Sequence, residues 1–120
     1  MKKTIFFIII ALVLGFMACA GNPSTSNNPI ITIVNNTGFT IHYLFVSPIA
    51  DDHWGQDRLG PNETINNGQS FSINLPYPVS AIDRYDILLI TSDNDRYQKM
   101  NVLITENNQI IFNIRDLIIR

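Results

Sequence analysis

From residue 30 to residue 114 the apolar side chains come in short β-branched and aromatic runs, and no run sustains a helical repeat. Turn-forming clusters close the runs: Asn35-Asn36-Thr37-Gly38, Pro76-Tyr77-Pro78, Ser92-Asp93-Asn94-Asp95 and Asn107-Asn108. Short runs with a two-residue repeat, punctuated in this way, are strands. Residues 30–34 (IITIV) give the first. Residues 39–47 (FTIHYLFVS) give the best one, with Phe39, Ile41, Tyr43 and Phe45 on one face and Thr40, His42, Leu44 and Val46 on the other. The first face is uniformly large and apolar, so it is the expected core face. The two runs are expected to form a hairpin around Gly38, which can take a positive φ. Residues 70–75 alternate with Phe71, Ile73 and Leu75 inward, and residues 85–91 are apolar on both faces, as a central strand is. Residues 96–105 return as its partner, residues 109–114 form the last clear strand, and residues 116–120 add an edge. Six or seven strands joined by turns predict an all-β fold, an antiparallel β-sandwich, with a small β-barrel as the alternative. Its expected core is Phe39, Ile41, Phe45, Phe71, Ile73, Ile87, Leu89 and Phe112, each contributing roughly 1.5–3 kcal/mol when fully buried.

A different kind of segment precedes this domain. Lys2 and Lys3 lead an apolar run over residues 5–16, closed by Met17-Ala18-Cys19. Charged region, apolar region and small residue at the cut are the order of an export signal. Two cleavage sites compete. Phe16-Met17-Ala18-Cys19 resembles the bacterial lipoprotein signal, in which Cys19 becomes the lipidated first residue. Ala18-Cys19-Ala20 is an ordinary A-x-A site, which gives a free secreted or periplasmic chain. An uncleaved anchor is the third reading, although the apolar run is short beside the about 20 residues a spanning helix needs. The chain has a single cysteine, so Cys19 has no partner for an internal disulfide. Residues 21–29 (GNPSTSNNP) are small, polar and proline-broken, the composition of a flexible tether. The expected organisation is therefore a lipoprotein signal over residues 1–18, a lipidated cysteine and tether over 19–29, and the β domain over 30–120. More than one acyl chain is needed for stable anchoring, and a lipidated cysteine normally carries it.

Eight basic residues face ten acidic ones; without Lys2 and Lys3 the balance is six against ten, a formal charge of −4. That balance argues against a nucleic-acid partner, which calls for a basic face, and it offers no polybasic help at a membrane surface. A domain of about 90 residues is a single folding unit.

The order Val34-x-Asn36 … Ile41, Val46-Ser47-Pro48, Trp54-Gly55-x-Asp57-x-Leu59-Gly60, Gly68-x-Ser70 and Tyr85-Asp86-Ile87 resembles a family of small bacterial exported β domains without an assigned function. The resemblance covers most of residues 30–114, and the Trp-Gly-x-Asp-x-Leu-Gly segment is its most specific part. It implies a fold and no activity.

The residues with chemistry concentrate in one connection. Residues 49–69 join two strands over about 20 residues, a length that is often functional in a compact domain. Asp51, Asp52 and His53 are its titratable cluster; adjacent loop residues rarely face one point, so a solvated loop is favoured over a metal site. Trp54 could anchor a protein partner or stack on a glycan, or pin the loop over the end of the sandwich with Asp57 accepting loop N–H groups. Arg58 could pair with Asp57 or Asp51. His42 could act as a base only if Ser47 or Ser70 converged on it, and no nucleophile-elbow pattern is present. Asp93-Asn94-Asp95 matches a fragment of a calcium loop but lacks the glycine and the closing glutamate. Pro76-Tyr77-Pro78 is a strand-ending corner. No catalytic residue, metal or cofactor is expected. The sequence thus predicts an envelope lipoprotein, lipid-anchored outside the cytoplasm, whose non-catalytic domain engages a protein or glycan through Asp51, Asp52, His53, Trp54, Asp57 and Arg58. The alternatives are a small periplasmic or secreted inhibitor of a hydrolase and, last, an enzyme.

Overall fold

A computed structural model describes residues 28–119. The expected signal, Cys19 and most of the tether lie outside the described residues. Among those residues no helix is long and apolar enough to cross a membrane.

The described residues form seven strands: β1 (Ile30–Asn36), β2 (Ile41–Pro48), β3 (Ser70–Asn74), β4 (Arg84–Thr91), β5 (Arg96–Leu103), β6 (Asn108–Asn113) and β7 (Leu117–Ile119). A 3-10 turn, Ile114–Asp116, precedes β7 and is closed by a capping box between Asn113 and Asp116. The strands form two sheets, a three-stranded one in the order β3-β1-β6 and a four-stranded one in the order β2-β4-β5-β7. Buried side chains of both sheets meet in one cluster, with Ile31, Ile33 and Phe112 on one side and Leu44, Ile87, Leu89 and Tyr97 on the other. That is the two-layer arrangement of a sandwich.

The strand positions agree with the sequence reading, and the pairing departs from it in two ways. The expected β1–β2 hairpin is absent, because β1 pairs with β3 and β6 while β2 pairs with β4. Residues 36–40 form a corner that carries the chain from one sheet to the other, with Gly38 at φ 93° as the turn requires. Both strands have an apolar face, and stacking those faces across the core buries them as side-by-side pairing would not. The sheet is also not wholly antiparallel, since β6 runs parallel to β1 from Ile31↔Asn108 to Asn36↔Asn113.

The third difference concerns which face of β2 is inside. Its register against β4 shifts between Ile41 and Tyr43. One extra residue in a strand moves every later side chain to the other face. Ile41 is therefore buried as expected, but beyond the bulge Leu44 and Val46 point inward, opposite Leu89 and Ile87. Tyr43 is 46% exposed and Phe39, in the corner, is 50% exposed. Phe45 is half-buried on the outer face opposite Leu88. Of the expected core, Ile41, Ile73, Ile87, Leu89 and Phe112 are buried, and Phe71 packs against the cluster while partly covered. The fold also begins slightly before the expected boundary: Pro29 is buried and its carbonyl accepts the Leu75 N–H at 2.9 Å.

Candidate functional site

The long connection between β2 and β3 follows the open edge of β2 and is bonded to it. At its start, the buried Ser47 hydroxyl lies 3.1 Å from the His53 carbonyl, to which it can donate. The Asp51 N–H donates to the Pro48 carbonyl and closes the first turn. Asp57 then turns one carboxylate oxygen, Oδ1, to two backbone donors, Leu44 at 2.9 Å and Leu59 at 3.0 Å. The Arg58 N–H donates to the Leu44 carbonyl at 2.7 Å, and its guanidinium donates to the Val46 carbonyl at 3.2 Å. Leu59 is buried in the core cluster. Gly60 N–H donates to Glu63 Oε1 at 2.7 Å, and Ile65 exchanges both backbone bonds with Ile41 at 2.9 and 3.0 Å. The loop thus covers the β2 edge much as a strand would.

This separates the expected site residues into two groups. Asp57 accepts N–H groups as one of its sequence readings proposed, and Arg58 reaches a backbone carbonyl rather than Asp57 or Asp51. Both hold the loop in place. Asp51, Asp52 and His53 are exposed and Trp54 is half-buried. Asp51, Asp52, His53 and Trp54 line a cleft of about 210 Å³ together with Ser47, Asp86 and Met100 from the strands. No three His, Cys, Asp or Glu side chains stand together as a metal-holding group among the described residues. His42 lines a different cleft, beside Glu63 and Asp57. The hydroxyl of Ser47 faces the backbone of His53 rather than its ring. Asp93-Asn94-Asp95 forms the expected hairpin turn: Asn94 takes φ 66°, and the Thr91 hydroxyl accepts the Asp93 and Asp95 N–H groups.

Two residues that sequence reasoning passed over organise this region. Asn35 is fully buried. Its Nδ2 donates to the Phe39 and Ile65 carbonyls at 2.7 and 2.8 Å, and its Oδ1 accepts the Thr37 N–H and hydroxyl at 3.0 and 2.7 Å. The same residue accepts the Gly68 N–H at its carbonyl. One side chain therefore ties the end of β1, the corner and the far end of the loop together. The neighbouring Asn36, which carries the sequence pattern, is exposed. The second is Asp86, whose carboxylate accepts the Asn101 N–H at 2.8 Å where the β4–β5 register slips, with Asn101 at φ 54°. The Asn-Asn-Thr-Gly cluster at a strand end was the available signal for the first; the second stands in the Tyr85-Asp86-Ile87 part of the sequence pattern, which gives it no role.

No protein-family model and no curated protein matches this chain. Among solved structures, it is similar to the NMR structure of a protein from Eubacterium rectale, with a TM-score of 0.57 and 13% identity, over 78% of this chain and 84% of that one. At that identity the likeness is one of fold alone.

Proposed function

We propose that this chain is a cell-envelope lipoprotein, anchored through Cys19, whose β domain binds a protein or glycan partner without catalysis. The observation that supports the binding role is the construction of the 49–69 loop. Ser47, Asp57 and Asn35 fix its backbone from three places, which leaves Asp51, Asp52, His53 and Trp54 presented from a rigid frame. Little ordering entropy is then lost when a partner binds. Membership in the group of small exported β domains belongs to the same reading.

The test is partner capture from envelope extracts with the full chain and with a triple variant, Asp52→Ala, His53→Ala and Trp54→Ala. These residues lie outside the bonds that hold the loop, so the variant should fold. Loss of the captured partners is expected. An unchanged set of partners would remove the loop from the binding role. The rigid loop also suits an inhibitor inserted into a hydrolase active site; inhibition of purified proteases and lysozyme by the wild type, lost in the same variant, would favour that alternative.

A further inference from the structure

The bulge in β2 has an effect beyond the core. In a regular strand consecutive side chains point to opposite faces. Here the consecutive residues His42 and Tyr43 line the same cleft, of about 320 Å³, closed on its other side by the Gly60–Thr64 part of the loop. We propose that this cleft binds one sugar residue of a neutral glycan; the inference deepens the binding role proposed above.

Three features of the lining point to that chemistry. Tyr43 is an aromatic residue 46% exposed, and its ring is a surface on which the C–H face of a pyranose can stack. Around it stand His42, Asn62, Glu63 and Thr64. The side chains of His42, Asn62 and Thr64 make no hydrogen bond to any other protein group among the described residues, and Glu63 commits only Oε1, to the Gly60 N–H. Imidazole, amide and hydroxyl groups each donate and accept, and a carboxylate accepts twice, which is the mixture that sugar hydroxyls require. No lysine or arginine lines the cleft, so an anionic ligand would find no counter-charge there. The volume sits at the small end of ligand clefts, which run to about 300–1,000 Å³, and fits one residue of a chain whose remainder stays in solvent. Asp57 also lines the cleft, but its Oδ1 is occupied by two backbone N–H groups.

The experiment is calorimetric titration of the full chain, expressed in a bacterial host and purified in detergent, with maltotriose, cellotriose, chitotriose and mannotriose. Tetralysine is titrated separately. Variants are Tyr43→Ala, Tyr43→Phe, Asn62→Ala, Glu63→Gln and Trp54→Ala. At least one trisaccharide should bind at millimolar concentration or below. Tyr43→Ala should weaken it by about tenfold or more, Asn62→Ala should also weaken it, and Tyr43→Phe, which keeps the ring, should leave it nearly intact. Binding of no trisaccharide overturns the assignment. So does binding of tetralysine alone, lost in Glu63→Gln, which would make the cleft a cation site. Trisaccharide binding that fails in Trp54→Ala and survives in Tyr43→Ala overturns this cleft while leaving the loop reading standing. Partner capture that persists when every sugar fails does the same.

Discussion

At the scale of single residues, Asn35 and Tyr85 show opposite states of a buried polar group. The Asn35 amide has a partner for each of its hydrogen-bonding roles. Truncating it would leave the Thr37 N–H without its acceptor in a dry region, where an unsatisfied group costs about 1–3 kcal/mol, and would take a second donor from the Ile65 carbonyl, which keeps the Ile41 N–H. Asn35→Ala should therefore lower stability by about 3 kcal/mol, read as a lower urea midpoint with an unchanged slope. The Tyr85 hydroxyl is buried and has no hydrogen-bond partner among the described residues. Burial raises the Tyr85 pKa above its ordinary 10.0; the nearby Tyr77 adds to the rise and Arg58 opposes it. A group whose pKa is higher in the fold than in the unfolded chain stabilises the fold below the unfolded pKa. That contribution declines as pH rises through the ordinary phenol range and is lost once the folded pKa is passed. Tyr85→Phe removes both the orphan hydroxyl and this alkaline liability. It should be neutral or stabilising by about 1 kcal/mol at neutral pH, and it should shift the onset of alkaline unfolding upward, measured by circular dichroism across a pH series.

At the scale of elements, β2 decides more than its length suggests. Its bulge exchanges the two faces after Ile41, so Leu44 and Val46 carry the core and Tyr43 does not. Leu44→Ala should cost about 3 kcal/mol, the cost of a cavity in a packed core, whereas Tyr43→Ala should change stability by less than about 0.5 kcal/mol, as exposed sites do. Thermal or urea unfolding of the two variants distinguishes this register from the unbulged one, which predicts the reverse. The loop beside β2 is a second element with a structural task. Asp57→Ala removes the acceptor of two N–H groups and loosens the cover over the β2 edge. A loss of about 2 kcal/mol is expected, together with faster concentration-dependent aggregation seen by light scattering, because an uncovered edge can pair with another chain.

At the scale of the whole molecule, the proposed lipid anchor at Cys19 and the polar segment after it would place the β domain a short distance from a membrane. Mass measurement of the mature N-terminus should find an acylated Cys19 in the wild type and none in Cys19→Ala, with the variant protein released to the soluble fraction. A wild-type N-terminus at Gly21 would instead describe a diffusible domain and advance the inhibitor alternative.

The sequence by itself determined where the strands lie. Among the described residues, the runs that alternate or are apolar throughout became strands, because burying one face of a strand needs only a local two-residue repeat. It also marked the turn at Gly38, the hairpin at Asn94 and the long loop, since Gly, Pro and Asn act on the backbone locally. Only the tertiary structure decided which strands pair, that β6 runs parallel to β1, and which face of β2 is inside. Those outcomes depend on contacts between residues far apart in sequence: Leu44 against Leu89, Asn35 against Ile65, Asp57 against the Leu44 N–H. The candidate site divides along the same line. Trp54 and its acidic neighbours are visible as an unusual loop, whereas the cleft at Tyr43 exists because a single-residue bulge turned an apparent core aromatic outward.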